Sequence, residues 1–358
     1  MLKKIALPAL AMVAAVIVVA GLCSGQGAAG AASPKAPAAT TPTDAAPVKA
    51  PAEPAPAAKA TETKAPEAAP AAGSKEVRLL AIGNSFSGDA TRHLPGLVKA
   101  AGHTLVFGHA SIGGCPLAKH WALAEAHEKD PADAKGKPYT YNGNKVSLKE
   151  LLTAQKWQYV TIQQFSGDSY KIDTYRPHAK NLYDYIKKHA PQAEVLVHQT
   201  WAYREDDPIF QSGKFTQQQM FDGLRAAYQT IASELKCRII PVGTAMQRVR
   251  HTPEWKFVYP DPKFDYAGAK SPALPSQEHS LNVGWRWSNP ADGQPKLSLD
   301  AHHASLAGQY LGAAVWFEFL YGQSVVDNTY VPAGLQEADA AFLRKMAHEA
   351  VAAAKSVP

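Results

Sequence analysis

Residues 77–87 read VRLLAIGNSFS. The run 77–83 is almost continuously apolar and closes on a glycine, the pattern of a short strand buried on both faces. Strands of that kind belong to parallel sheets covered by helices on either side. In such sheets ligands bind beyond the carboxyl ends of the strands, so Asn84 and Ser85 follow this strand at the place where chemistry is expected. Taken alone, Gly-Asn-Ser is a common turn and Ser85 a simple helix cap. The rest of the chain has to decide between cap and nucleophile.

Outward from this strand the same pattern repeats. Leu94, Leu97, Val98 and Ala101 give helical spacing over 89–102, stopped by Gly102. A strand is expected at 105–109 and a Gly-rich loop at 111–115. Helices follow at 147–155, 174–189 and 216–235, alternating with strands at 159–163, 194–199 and 238–242, and the chain closes with helices at 304–321 and about 335–354. Buried strands alternating with amphipathic helices, joined by right-handed crossovers, imply an α/β fold, a three-layer α/β/α sandwich on a parallel sheet. Segments 128–146 and 252–298 interrupt the alternation. Both are rich in Pro, Gly, Lys and aromatic residues, and loops of that length usually carry function or lie over a site.

The 358 residues are 46% hydrophobic, ample for a sizeable core, but unevenly spread. In 1–30, Lys3 and Lys4 precede an apolar run from Ile5 to Leu22 and then small residues, the order of an export signal. A retained membrane anchor is the competing reading, since about 18 apolar residues reach the lower limit for a bilayer span. Leu22 stands before Cys23 where a lipid-attachment signal would have Gly or Ala. Residues 31–75 are dominated by Ala, Pro, Lys, Glu and Thr and cannot bury enough apolar surface to fold; they read as a disordered linker. The folded part is therefore 76–358, one domain, exported to the periplasm or beyond or tethered to the outer face of the membrane. The net charge of +6 includes two lysines of the signal, and no basic cluster with interleaved aromatics stands out, which excludes nucleic acid as a partner. Cys115 and Cys237 can pair in an oxidising compartment or stay as thiols, and spacing alone does not choose.

Near the C-terminal end, residues 299–305 read LDAHHAS and lead into an apolar helix. An Asp three residues before a His lets the carboxylate accept the Nδ1 proton, leaving Nε2 free to take a proton from a serine. Read alone, His302 and His303 are equally a pair of loop histidines. Other polar groups at strand ends are Gln163 and Gln164, then His198 and Trp201. His198 is either a hydrogen-bonded structural residue or a substrate contact. Trp201, Tyr203, Trp285 and Trp287 are either core or walls against which a sugar ring stacks.

The order of these parts resembles the SGNH (GDSL-like) hydrolase superfamily over about 77–321. Ser85 in AIGNSFS matches that family's first block, Gly113-Gly114 its second, and Asp300 with His303 its last. Two departures are visible. Asn84 stands where the family has Asp, keeping an Asx side chain at the turn, and VTIQQFSGD (160–168) lacks GxND, with Gln163-Gln164 at that position. The resemblance implies a flavodoxin-like parallel sheet and ester hydrolysis through Ser85, His303 and Asp300. It implies an oxyanion hole from the N–H groups of Ser85 and Gly113 or Gly114 with the Gln164 amide, Gln163 being the strand residue of the opposite face. Asn84, His198 and Trp201 are the expected substrate contacts. No cofactor is implied. The family and the export signal together point to an ester-bearing glycan or small molecule as substrate, with acetyl removal from a polysaccharide first. A glycan-binding protein that has lost turnover is the second reading. A metal site from His198, Asp300, His302 and His303 ranks last, because the HExxH spacing is absent.

Overall fold

From β1 (Glu76–Gly83) the chain passes through α1 (Ser85–Thr91) and α2 (Leu94–Ala100) to β2 (Thr104–Ser111). It continues through α3 (Leu117–Lys129), a small hairpin of β3 (Tyr139–Tyr141) and β4 (Asn144–Val146), and α4 (Leu148–Ala154). Next come β5 (Tyr159–Ile162), α5 (His178–His189), β6 (Glu194–His198), α6 (Gln217–Leu235), β7 (Arg238–Ile240) and α7 (Val242–Arg250). A second antiparallel hairpin, β8 (Asn282–Ser288) and β9 (Lys296–Ala304), precedes α8 (Leu306–Tyr321) and α9 (Glu337–Lys355). The computed structural model describes residues 73–288 and 293–355. The expected export segment 1–30 and nearly all of the linker 31–75 lie outside the described residues.

Five strands form one sheet in the order β2-β1-β5-β6-β7, every pair parallel. Counting only sheet strands, this is 2-1-3-4-5, the flavodoxin-like order. Winding reverses between β1 and β5, so their carboxyl ends open a crevice at Asn84–Ser85 on one side and Gln163–Gln164 on the other. Helix α8 packs with α1, α2, α7 and α9, while α3 packs with α4 and α5, and α5 with α6. These two groups are the outer layers of the three-layer sandwich.

The reading of β1 as doubly covered holds: Leu79, Leu80, Ala81 and Ile82 are consecutive and all fully buried. Helix α8 is apolar on every side and buried from Tyr310 to Tyr321, as a helix without a polar face must be. Its one charge, Glu318, is paired inside, accepting from the Val325 N–H at 3.0 Å and lying 2.8 Å from His348 Nδ1.

Four differences from the sequence expectation have physical causes. The helix expected at 89–102 begins at Ser85 and is split in two, because the Asn84 side chain caps α1 at Phe86 N–H and Pro95 starts a new helix. Helix α3 escapes a hydrophobic reading because its buried face is Leu117, His120, Ala124 and His127, half of it imidazole. Helix α7 follows β7 with only Pro241 between them. The segment 252–298, expected as loop, contains β8, so the DxxH stretch lies on a strand and not in a free loop. Among the described residues Cys115 and Cys237 form no disulfide. Among the described residues no helix is long and apolar enough to cross a membrane.

Candidate active site

The turn after β1 is built around Asn84. Its Oδ1 accepts the Phe86 N–H at 3.0 Å, and its Nδ2 donates to the Cys115 carbonyl at 3.1 Å. A carboxylate at this position could not make the second bond, so the amide ties the Ser85 turn to the Gly-rich loop. Ile112 N–H adds a second tie, donating to the Gly83 carbonyl at 3.2 Å. The buried His120 adds a third, its Nε2 lying 3.0 Å from the same carbonyl and its Nδ1 2.8 Å from the Tyr139 hydroxyl. Burial pushes the His120 pKa down to about 4, so it bridges as a neutral ring. From below, Gln163 Oε1 accepts from Asn84 N–H at 3.2 Å and from Ser87 Oγ at 3.0 Å. Gly83 is required by this packing: a Cβ there would lie 2.4 Å from Ser87 Oγ and 2.5 Å from Gln163 Oε1. Ser85 emerges half-exposed from an otherwise buried turn. Among the described residues, no protein acceptor takes the N–H of Ser85, Gly113 or Gly114. Gly114 turns the loop at φ +61°, a conformation that favours glycine.

The other half of the site comes from β9. Asn282 pairs with Ala304 and Gly284 with Asp300, so one residue of β8 faces three of β9. Bulges of this kind re-aim side chains. Here the bulge is Ala301-His302-His303, and it leaves Ala301 buried while both imidazoles stay half-exposed. Asp300 Oδ1 accepts the N–H groups of His302 and His303 at 3.3 and 3.1 Å. The His303 Nδ1 lies 3.1 and 3.0 Å from the two oxygens of the same carboxylate, and its Nε2 lies 2.9 Å from Ser85 Oγ. Burial alone would raise the Asp300 pKa, but the His303 side chain and the two backbone donors outweigh it and hold the carboxyl well below its usual range. The hydrogen bond to Asp300 raises the His303 pKa against the opposing effect of burial. With Nδ1–H donated to a carboxylate, Nε2 is the acceptor for the Ser85 hydroxyl. Hydroxyl, imidazole and carboxylate thus stand in series, the arrangement in which a base can take the serine proton and be stabilised once charged.

The hairpin is held in place by residues 201–207, WAYREDD, after β6. Trp201 Nε1 donates to the His302 carbonyl at 2.9 Å, and its ring stacks on Phe86 at 4.3 Å, with Phe86 in turn 5.9 Å from the His303 ring. Arg204 N–H donates to the Ala301 carbonyl at 3.0 Å. The Arg204 guanidinium forms a two-pronged buried pair with Asp206, both bonds 2.7 Å, and also donates to Gln277 and Ser280. Asp206 accepts from Trp285 Nε1 of β8 at 3.2 Å, and Asp207 lies 2.7 Å from His302 Nε2. From α1, the buried Asp89 accepts the Ala304 N–H at 2.9 Å. Burial raises the Asp89 pKa, partly offset by that bond. Asp89, Arg204, Asp206 and Asp207 escape the sequence reading; the acidic run 205–207 beside an arginine is a signal for the last three, and nothing local marks Asp89.

Ser85, His303 and Asp300 are brought together, but several expected contacts are not where a substrate could reach them. Asn84, His198 and Trp201 are 1%, 0% and 1% exposed, so all three support the site from inside the fold. Burial drives the His198 pKa down to about 3, and its Nδ1 lies 3.4 Å from Ser87 Oγ behind the turn. Gln164 is also buried, and its amide donates to the Thr174 carbonyl and hydroxyl at 2.9 and 3.0 Å. Its Oε1 accepts from Leu117 and Phe165 N–H, so both ends are committed to loop structure rather than to an oxyanion. The glutamine that reaches the Ser85 turn is Gln163. Tyr203 is buried, and Trp285 and Trp287 spend their N–H groups on Asp206 and the Ala273 carbonyl.

The fold is an α/β sandwich on a parallel sheet, with Ser85, His303 and Asp300 in series at its switch point. The chain belongs to the family described as a domain of unknown function, DUF4886, whose model matches residues 78–257. It is similar to the crystal structure of a DUF4886 family protein from Bacteroides uniformis, with 26% identity and a TM-score of 0.60 over 79% of this chain and 97% of the other. It is also similar to a protein named as a candidate SGNH hydrolase from Slackia heliotrinireducens, at 17% identity and a TM-score of 0.42, over 68% of this chain and 98% of that one. The lipase/acylhydrolase from Enterococcus faecalis matches at 14% identity and a TM-score of 0.36, over 69% of this chain and 96% of that one. No curated protein matches the chain.

Proposed function

We propose that this protein is an SGNH-type serine hydrolase that cleaves ester bonds, with Ser85 as nucleophile. The observation that carries the reading is the continuous series Ser85 Oγ–His303 Nε2 at 2.9 Å and His303 Nδ1–Asp300 at 3.0 Å. His303 takes the Ser85 proton as the oxygen attacks the ester carbonyl, and Asp300 stabilises the imidazolium. The oxyanion is received by the backbone N–H groups of Ser85 and of Gly113 or Gly114, which have no protein acceptor among the described residues, and not by Gln164. His303 returns the proton to the leaving alkoxide, then activates the water that hydrolyses the acyl-enzyme.

The substrate class we assign is an acetylated carbohydrate, met outside the cytoplasm. Supporting it are the export-type segment 1–30 and two polar, solvent-exposed groups next to Asp300 and His303: Arg286, 3.7 Å from the Asp300 carboxylate, and His302, the neighbour of His303 in sequence. The test is hydrolysis of p-nitrophenyl acetate and of acetylated polysaccharide by the full chain beside Ser85→Ala, with and without a chelator. Release that survives chelation and falls by on the order of 10³-fold or more in Ser85→Ala is expected. Activity unchanged in that variant contradicts the mechanism, and a parent inactive on every ester favours the glycan-binding reading.

A further inference from the structure

Beside His303 stands a second imidazole that the proposed ester chemistry does not use. The His302 side chain is 46% exposed, close to the 42% of His303, and it follows the β9 bulge toward Tyr203, which reaches Ser166 beyond the carboxyl end of β5. The His302 ring lies flat on Tyr203, centroids 3.8 Å apart and planes 24° apart. Tyr203 is itself fixed, its hydroxyl 3.0 Å from Ser166 Oγ. The edge of the ring is fixed too, with Nε2 at 2.7 Å from Asp207 Oδ2, and the backbone carbonyl of His302 is held by Trp201 Nε1 and Asn282 Nδ2. Asp207 is nearly buried, and its other oxygen accepts the Ile209 N–H at 2.9 Å, so the carboxylate cannot swing away cheaply.

In its neutral form an imidazole whose Nε2–H is donated to a carboxylate presents a bare lone pair at Nδ1. Among the described residues no protein atom partners that nitrogen. Asp207 and Tyr203 thus hold a hydrogen-bond acceptor, with one ring face covered, one residue from the base of the ester chemistry. We infer that His302, oriented by Asp207 and Tyr203, is a specificity residue that accepts a hydroxyl of the alcohol half of the substrate. This rests on the hydrolase reading above. Its consequence is a preference for esters of polyhydroxylated alcohols over esters of the same acid that carry no hydroxyl.

Two measurements on the full chain test it. The first compares kcat/KM for a mono-O-acetylated methyl glucoside with that for p-nitrophenyl acetate in the parent, His302→Ala and Asp207→Asn. A neutral hydrogen bond contributes about a tenfold effect, so the ratio of the two values is expected to fall about tenfold in His302→Ala, chiefly through KM of the glucoside. Asp207→Asn offers an amide donor to Nε2 and reverses the tautomer, so the ratio falls there as well, by less. A ratio that stays constant while both rates fall together overturns the inference and leaves His302 a part of the scaffold. The second measurement follows the His302 imidazole by NMR in Ser85→Ala as methyl glucoside is added. A saturable shift of its resonances, weakened in Asp207→Asn, is expected, and no shift overturns the inference. Because this readout needs no turnover, it decides the role of His302 even if the parent hydrolyses no ester.

Discussion

The two halves of the site are held by different kinds of structure. Ser85 sits at the end of β1, a central strand with neighbours on both sides, and its turn is fixed by short bonds from Asn84, Gln163, His120 and Ile112. Asp300 and His303 sit on a two-stranded hairpin outside the main sheet, and a two-stranded hairpin is marginal by itself. Its rigidity comes from the clamp at 201–207, whose contacts reach across 73 to 101 residues of sequence. The Ser85 half is thus set by the fold itself, and the Asp300–His303 half by a polar network added to it. Damage to the network should misplace the base while leaving the serine where it is.

The largest effect that sharpens this contrast is expected for Asp300→Asn. The carboxylate both orients His303 and raises its pKa, so kcat should fall by on the order of 10²–10⁴-fold. The base is active only when neutral, so in the parent the acid limb of the pH–rate profile should lie above ~6.5, the ordinary histidine value, and should move to lower pH in the variant. A profile that does not move would separate Asp300 from the titration of His303. Next comes Arg204→Met, which leaves the Asp206 carboxylate buried without its cation. Removing one partner of such a pair costs about 3–5 kcal/mol, measurable by urea unfolding. Activity should fall with stability, since Arg204 also spans Gln277 and Ser280 beside β8. The smallest effect on chemistry is expected for Gln164→Ala. Losing a true oxyanion donor slows turnover roughly 10²–10³-fold, whereas loss of a buried loop tie costs about 1–3 kcal/mol of stability. Gln164 should follow the second pattern, and a roughly hundredfold slower turnover at unchanged stability would restore it to the oxyanion hole.

The same contrast explains what the sequence makes legible. The β1 strand and its turn are local: an apolar run closed by glycine, followed by a capped helix, reads directly from neighbouring residues, whereas the order of the parallel sheet comes only with the family resemblance. The Asp300–His303 spacing is local as well, because the carboxylate and the imidazole meet within three residues. The clamp is not. Arg204, Asp206 and Asp207 read as an ordinary charged loop until β8 and β9 are brought beside them, and nothing in residues 201–207 announces those partners. Trp201 and His198 are expected at the substrate because strand ends point at the crevice. They are buried instead because Phe86 and Trp316 pack against them. Gln163, not Gln164, supports the Ser85 turn for a related reason: beyond the end of β5 the alternation of a strand no longer governs direction, and the Thr174 contact that fixes Gln164 is ten residues away.

The most direct test of the central claim is covalent. The full chain is treated with a fluorophosphonate, which reacts with activated serines, and digested for mass spectrometry. The account predicts a single adduct on Ser85 approaching one per chain, lost in His303→Ala and strongly reduced in Asp300→Asn. Labelling of a different serine, or of Ser85 at the same rate without His303, would contradict it.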